Sequence, residues 1–457
     1  MLRNKLVAMI AVSALALTGC DVFDDDDDTT IVEPAVLRVL HASPDAPAVD
    51  VLIDGAVQVA GANFKDGTGN LVVTPGTYNV QVDGLTPGGN TTVIGPVDIE
   101  LASGIEYTVI ASGEVANIAP LIIELPNESP AVGNLRATVV HGAPNAPAVD
   151  VYVTAPDADL AASAPLGSFS FGGSLGPVEV PGGDYQIRVT LAGDAATVVF
   201  DSGTLALPAG LDLLITAVQN TTTGESPISL SVLDGTGSSE ILDTNTPTSL
   251  RVIHNSPDAP AVDVIVNDDF DNPLVPGLAF PDFTGFVDVP PATYNVKVTP
   301  AGDAGTVVID ADLDLAAGTE YSVYATGLLA EIEPQVLVDD RRAVATQAQL
   351  RVLHGSPSAG SVDIYATAPG TDITTVSPNF SDVPFRAETG YVQLPAGTYT
   401  VTVTPTGTTT AAIGPIDITL EAGGIYTAVA RDAAGSGTPL GLILLDDFNL
   451  LAPEAQQ

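Results

Sequence analysis

Residues 37–51 read LRVLHASPDAPAVDV, and close copies of this signature occur three more times along the chain. The copies are ATVVHGAPNAPAVDV at 137–151, LRVIHNSPDAPAVDV at 250–264 and LRVLHGSPSAGSVDI at 350–364. The four histidines of the chain all occupy the same position in it: His41, His141, His254 and His354. A repeat of roughly 100 residues has the size of a domain, so the sequence predicts four copies of one module.

The module has an all-β pattern. In the first copy Val49, Val51 and Ile53 alternate with more polar positions, and an Asp-Gly hairpin signal follows at 54–55. The stretch PGTYNVQV at 75–82 alternates in the same way, with counterparts beginning at Tyr185, Tyr294 and Tyr399. A glycine followed by a tyrosine, as in GIEY at 104–107, resembles the tyrosine corner of immunoglobulin-like sandwiches. We therefore predict four tandem immunoglobulin-like antiparallel β-sandwich modules.

Linker composition and the spacing of the copies divide the chain. The stretches 126–134, 235–248 and 341–347 are rich in Pro, Gly, Ser, Thr or charge and lack alternation. The expected divisions are a signal peptide (1–19), a lipidated cysteine and acidic tether (20–34) and four β-sandwich repeats (35–128, 133–236, 248–340 and 348–450).

The N-terminal segment indicates export. Arg3 and Lys5 precede 12 apolar residues at 6–17, a stretch shorter than the roughly 20 residues that span a bilayer. The closing Leu-Thr-Gly-Cys resembles a lipobox, which makes Cys20, the only cysteine, the expected lipidation site. The aspartate run at 24–28 reads as a solvated tether. An ordinary signal peptide is the alternative. We expect a lipoprotein of the bacterial envelope, with the outer membrane or cell surface favoured over the inner membrane.

The charge balance limits the partners. The chain has 56 acidic and 13 basic residues, a formal net charge of -43. Binding to nucleic acid depends on basic patches that neutralise phosphates, so no nucleic-acid partner is expected. The expected membrane contact is the lipid anchor, and a protein or glycan of the envelope remains open as a partner.

The signature and the later P-x-G-x-Y strand resemble a bacterial envelope family known as domain of unknown function 4397. The resemblance covers nearly all of the chain beyond the signal, in four copies. It implies a secreted β-sandwich repeat, and the family carries no assigned activity or catalytic residues.

The charged positions of the signature suggest an ion pair. If its two strands pair with aligned apolar faces, Arg38 lies on the same side as Asp50. We predict this cross-strand pair, repeated as Arg251–Asp263 and Arg351–Asp363. The second copy has Asp150 but Thr138 at the arginine position, and Arg136 is the expected substitute.

The signature histidine ends the apolar face where the chain turns through Ser-Pro-Asp-Ala-Pro. We expect it to be half-buried and hydrogen-bonded to that turn, because one histidine per module offers no zinc cluster. Asp45 and its counterparts Asn145, Asp258 and Ser358 suggest a turn cap, a role that all three residue types can fill.

The sequence bears on three classes of function: a scaffold or spacer, an adhesin and an enzyme. A non-catalytic surface scaffold or spacer is the main hypothesis, and no catalytic residue or cofactor is expected, since the chain has no G-x-S-x-G, H-E-x-x-H or P-loop motif. An adhesin with acidic loops for calcium, glycan or protein is the alternative. Its weak calcium candidates are Asp268, Asp269 and Asp271, with further aspartates at Asp310, Asp312 and Asp314.

Overall fold

The computed structural model describes residues 32–449. The signal segment, Cys20 and the aspartate run lie outside the described residues. Within them the chain is all-β and forms four tandem β-sandwich modules, which confirms the predicted fold class. No α-helix occurs in this part of the chain, which has four short 3₁₀ turns: η1 (Val115–Asn117), η2 (Leu160–Ala162), η3 (Leu329–Glu331) and η4 (Ile373–Thr375). None of its helices is long and apolar enough to cross a membrane.

The first two modules supply seventeen strands. Module 1 contains β1 (Ala35–His41), β2 (Val49–Ile53), β3 (Ala56–Ala62), β4 (Leu71–Val73), β5 (Gly76–Gly84), β6 (Thr91–Leu101), β7 (Ile105–Ser112) and β8 (Ala119–Pro126). Module 2 contains β9 (Asn134–His141), β10 (Val149–Thr154), β11 (Gly167–Phe169), β12 (Ser174–Pro181), β13 (Gly183–Leu191), β14 (Asp194–Leu207), β15 (Asp212–Gln219), β16 (Ile228–Leu233) and β17 (Ser238–Ile241).

The last two modules supply sixteen strands. Module 3 contains β18 (Thr248–Asn255), β19 (Val262–Val266), β20 (Val275–Leu278), β21 (Val287–Val289), β22 (Ala292–Pro300), β23 (Ile309–Leu315), β24 (Glu320–Thr326) and β25 (Glu333–Asp339). Module 4 contains β26 (Ala348–His354), β27 (Val362–Thr367), β28 (Phe380–Val383), β29 (Val392–Leu394), β30 (Gly397–Pro405), β31 (Ile413–Leu420), β32 (Gly424–Arg431) and β33 (Gly441–Asn449).

Every module stacks two sheets of the same order. In module 1 the orders are β4-β1-β7-β8 and β3-β2-β5-β6. The strands are antiparallel except for one parallel pair per module, β1 with β7 and its equivalents. The sandwiches are thus predominantly antiparallel, as predicted, with one parallel pair in each. The chain crosses through the other sheet between β1 and β7, and such a crossover can bring two strands side by side in the same direction.

Module 2 carries one additional strand. The stretch 235–248 was expected to be a linker without strands, but β17 lies inside it and pairs with β16. The β16–β17 hairpin also reaches module 1, where the amide of Asn70 donates to the carbonyl of Gly235 at 2.8 Å. The amide of Gly67 likewise donates to the hydroxyl of Ser238 at 2.9 Å. This segment therefore helps to join two modules.

Each sandwich has an apolar core between its two sheets. The tyrosine of the P-x-G-x-Y strand fixes the entry to that strand, since the hydroxyl of Tyr78 donates to the carbonyl of Thr74 at 2.8 Å. The same bond, four residues upstream, is made by Tyr185, Tyr294 and Tyr399. The hydroxyl of Tyr107, the tyrosine of GIEY, accepts from the amide of Ala102 at 3.0 Å.

Candidate functional site

The first signature strand is buried on both faces. All seven residues of β1 are buried, as are all seven of its counterpart β26 in module 4. Leu37 and Val39 face the core of their own sandwich. Leu40 belongs to a second apolar cluster that it shares with residues of module 2. The signature strand therefore contributes both to the core of its own module and to the contact with the neighbouring module.

Inside the module the histidine holds the turn. His41 is 1% exposed, so it is buried rather than half-buried. Its Nε2 lies 3.0 Å from the carbonyl of Pro47 and donates to it, while its Nδ1 accepts from the amide of Ser43 at 3.3 Å. The ring is thus a neutral tautomer with both nitrogens engaged. The same Nε2 contact joins His141 to Pro147, His254 to Pro260 and His354 to Gly360.

The ring also contacts an aromatic side chain in three modules. His41 meets Phe64 edge to face, with 6.4 Å between the ring centroids. His254 meets Phe280 and His354 meets Phe385 in the same way, at 6.1 and 6.3 Å. The sequence did not reveal these phenylalanines, which lie outside the signature.

The signature aspartate joins neighbouring strands. In module 3 the two carboxylate oxygens of Asp263 accept the amides of Gly277 and Gly302, at 2.7 and 2.8 Å. Asp363 does the same with the amides of Asp382 and Gly407. Asp150 accepts from the amide of Gly193 and the hydroxyl of Ser168, and Asp50 from the amide of Gly61. In modules 2, 3 and 4 the aspartate thus binds the chain on both sides of its strand, and in module 1 it binds β3.

The predicted ion pairs Arg38–Asp50, Arg251–Asp263 and Arg351–Asp363 are wrong. The prediction assumed that the two signature strands pair with each other, but β1 and β2 belong to the two facing sheets of the sandwich. The aspartate binds backbone amides within its module. The arginine points away from it, into the boundary between modules, where it meets other carboxylates.

At the boundary between modules 1 and 2, Glu106 lies between two arginines. It forms an ion pair with Arg38, beside it in the sheet, and its Oε2 lies 3.8 Å from Nη2 of Arg136 in module 2. Arg136 also donates from Nε to Asp212 at 2.9 Å and from Nη1 to the carbonyl of Pro126 at 2.9 Å. Arg38 and Glu106 are 1% and 3% exposed, so their charges are compensated away from water.

The boundary between modules 3 and 4 repeats the arrangement with two carboxylates. Nη2 of Arg251 lies 2.5 Å from Asp447 of module 4 and 3.7 Å from Asp339 of its own module. Asp339 also pairs with Arg351 of module 4, whose Nη1 donates to the carbonyl of Val338 at 3.0 Å. The hydroxyl of Tyr391 donates to Asp447 at 3.0 Å. Both carboxylates thus bridge the two modules.

Electrostatics follow from this geometry. Burial disfavours the charge of Arg251, but Asp447 and Asp339 outweigh it and raise the pKa of the guanidinium. Burial raises the pKa of Asp447, while Arg251 acts in the opposite direction. Arg251 and the two carboxylates therefore stay charged only while they remain in contact with one another.

An apolar cluster surrounds each network. Between modules 1 and 2 the fully buried members are Leu40, Ala42, Ile110, Val140, Leu214, Val218 and Leu233. Between modules 3 and 4 they are Ile253, Tyr324, Leu353, Val429 and Leu445. The residue before each signature histidine contributes in every copy, and its apolar character was the sequence signal for a second buried face.

The turn aspartate caps a neighbouring loop. Oδ1 of Asp45 accepts from the amide of Val115, the first residue of η1, at 2.7 Å. Asp258 accepts from the amide of Leu329, the first residue of η3, at the same distance. The expected cap is thus directed at another loop of the module, instead of at its own turn.

The calcium candidates do not come together. Asp268 forms an ion pair with Lys297, and Asp269 accepts from the amide of Asn272 at 3.2 Å. Across residues 32–449, no group of three or more His, Cys, Asp or Glu side chains is arranged to hold a metal ion.

We expect Arg251→Ala to lower the free energy of unfolding by about 3–5 kcal/mol, because it leaves Asp447 buried without its arginine and leaves Asp339 with Arg351 alone. Urea unfolding followed by tyrosine fluorescence measures this. Lys297→Ala is the matched control, since its partner Asp268 is 64% exposed, and it should change stability little. A loss below about 1 kcal/mol for Arg251→Ala would contradict the buried network.

Stability should also depend on pH through the signature histidine. Burial lowers the pKa of His41 from 6.5 to about 4, so the fold binds the neutral ring while the unfolded chain is protonated below 6.5. The stabilisation is complete above that pH and is lost as the pH falls toward 4, by at most about 3 kcal/mol. The difference in unfolding free energy between the native chain and His41→Gln should shrink over this range. A constant difference would show that the ring does not titrate this way.

Comparison with known proteins gives a family and two structural resemblances. The family model described as "Domain of unknown function (DUF4397)" matches residues 35–152, 248–365 and 366–457. The chain is similar to the Bacillus anthracis TIE protein, with 13% identity and a TM-score of 0.15 over 85% of this chain and 69% of that one. It is also similar to a product complex of the multi-modular glycogen-degrading pneumococcal virulence factor SpuA, with 10% identity and a TM-score of 0.15 over 60% of this chain and 37% of that one.

No curated protein matches the chain in sequence. The family model covers well over half of its residues and includes all four signatures in full. The chain therefore belongs to the DUF4397 family.

Proposed function

We propose that the protein is a non-catalytic scaffold or spacer of the bacterial cell envelope, anchored through a lipid on Cys20. The observation that carries the proposal is the buried charge network at the module boundaries. Arg251 of module 3 reaches Asp447 of module 4, and Asp339 of module 3 pairs with Arg351 of module 4. A boundary held in both directions by such pairs keeps two modules in one fixed orientation.

The signature residues support a structural role. The histidine uses Nε2 to hold its own turn in every copy and Nδ1 as well in modules 1, 3 and 4, and the aspartate uses its carboxylate on backbone amides. A general base or metal ligand needs a lone pair directed at a substrate or ion. The residues that recur in every copy are thus occupied in building the module.

The surface charge suits a spacer. The net charge of -43 keeps the exterior hydrated and favours separation from other acidic surfaces. The basic side chains, by contrast, are concentrated at internal contacts such as Arg38 and Arg351, which are 1% and 2% exposed. Arg38 and Arg351 thus contribute to the module boundaries, and the net charge that the surface presents is acidic.

Rigid joining can be measured by distance distributions between spin labels. In the full chain carrying Cys20→Ser, cysteines replace the exposed Asp312 of module 3 and Asp417 of module 4. The distribution across the boundary should be as narrow as that of the control pair Asp312 and Glu331, which lies within module 3. Leu353→Asp should broaden only the former, because Leu353 is fully buried at the boundary. A broad distribution in the native sequence would contradict the scaffold.

The anchor has its own test. In a bacterial host fed labelled palmitate, the full chain should incorporate the label and partition with membranes. Cys20→Ser should lose both properties, since the lipid would be attached to that sulfur, whereas Thr18→Ser should keep them. A native chain that stays unlabelled would exclude the anchor while leaving the scaffold measurement valid.

A further inference from the structure

The signature turn of module 1 is covered by another part of the chain. Nη1 of Arg342, in the segment between modules 3 and 4, donates to the carbonyl of Ala46 at 2.8 Å and contacts that of Pro44 at 3.3 Å. Three residues later the amide of Ala345 donates to the carbonyl of Asp45 at 2.8 Å. One arginine side chain and one backbone amide thus contact three consecutive carbonyls of this turn.

An aromatic ring completes this contact. The guanidinium of Arg342 lies 5.8 Å from the centroid of Phe64, the ring that packs on His41. Lys65, the next residue in the chain, lies 5.1 Å from the same ring. Pro44, Ala46 and Pro47 are buried beneath the incoming segment. Turn, histidine and phenylalanine together therefore form a receptor for an arginine-bearing segment.

Module 3 uses the same receptor. Arg431 of module 4 lies 5.5 Å from the ring of Phe280, which packs on His254. Four residues later the amide of Gly435 donates to the carbonyl of Pro257 in the turn, at 2.7 Å. In both modules an arginine from elsewhere in the chain lies over the ring and a following amide donates to a turn carbonyl. Only Arg342 also donates to the turn itself, since Arg431 donates to the carbonyl of Asp432.

In module 4 the receptor is built but open. Phe385 packs on His354, and Arg386 lies 5.2 Å from that ring, as Lys65 does from Phe64. Ser358 and Gly360 of the turn are exposed, as are Asp258 and Pro260 of module 3, whereas the turn of module 1 is largely buried. Among the described residues, no backbone amide donates to the carbonyls of Pro357, Ser358 or Ala359, unlike those of Asp45 and Pro257.

We propose that the signature turn of module 4 binds an arginine-bearing segment of a partner protein. As Arg342 does in module 1, the guanidinium donates to the turn carbonyls and lies over the ring of Phe385, and an amide three or four residues downstream donates to a carbonyl of the turn. The net charge of -43 favours a basic ligand. A partner is favoured over a second copy, because every arginine of residues 32–449 already holds a contact.

The chain supplies the probe. A fluorescent, capped peptide of residues 342–347, RAVATQ, is titrated with the purified full chain and followed by fluorescence anisotropy. We expect saturable binding about tenfold tighter than that of AAVATQ, which lacks the charged hydrogen bonds and the stacking. Ser358→Lys should abolish the preference by placing a positive charge at the turn. Thr410→Lys, an exposed site elsewhere in module 4, should leave it unchanged and controls for net charge.

A second variant counts the sites. Arg342→Ala uncovers the turn of module 1 and should add one binding equivalent per chain. Equal affinity for the two peptides, absence of saturable binding, or binding that Ser358→Lys leaves intact would each overturn the proposal. Sedimentation of the native chain identifies the occupant, since self-association that Ser358→Lys abolishes would replace the partner by a second copy.

Discussion

The structure depends on one constraint: an arginine lies in the middle of a strand that is buried on both faces. Arg38 cannot reach water from β1, and Arg251 and Arg351 are equally enclosed in their strands. A buried cation is tolerated only beside a carboxylate. The carboxylates come from neighbouring strands and from the next module, so neutralising the charge and aligning the modules are the same event.

This constraint explains a division of labour within the signature. Its histidine, aspartate and prolines act inside one module, where they fix the turn between the two sheets. Its arginine and the apolar residue before the histidine act outward. Buried ion pairs add little net stability over apolar packing but penalise misalignment strongly. The apolar clusters therefore supply the driving force for association, and the charges select one orientation.

The fold was largely predictable, and the boundary was not. Alternation around Val49 and Val51 identified strands, and the spacing of the histidines gave the modules. The partner of Arg38 was misassigned because the two signature strands were expected to pair, whereas they lie in facing sheets and the outer face of β1 is covered by module 2. Whether that face is exposed to solvent depends on the next module, about 100 residues away in the chain. Local periodicity carries no information about such a contact. Glu106 lies in the GIEY motif, but nothing in that motif indicated a partner for Arg38, and Asp447 belongs to no shared motif. Within residues 32–449, the hairpin of β17 has no counterpart in the other modules.

Arg136 and Arg351 each contact the module before their own, and this affects how a chain of this kind can lengthen. Arg136 donates a hydrogen bond to the carbonyl of Pro126 in the last strand of module 1. Arg351 does the same to the carbonyl of Val338 in the last strand of module 3. Each even-numbered module thus carries a cation fitted to its odd-numbered predecessor. Removing module 3 alone would leave Asp447 and Arg351 of module 4 without Arg251 and Asp339, their partners in module 3. Removing modules 3 and 4 together would remove both members of each of these pairs, so this part of the chain can be gained or lost as a doublet without leaving such a charge uncompensated.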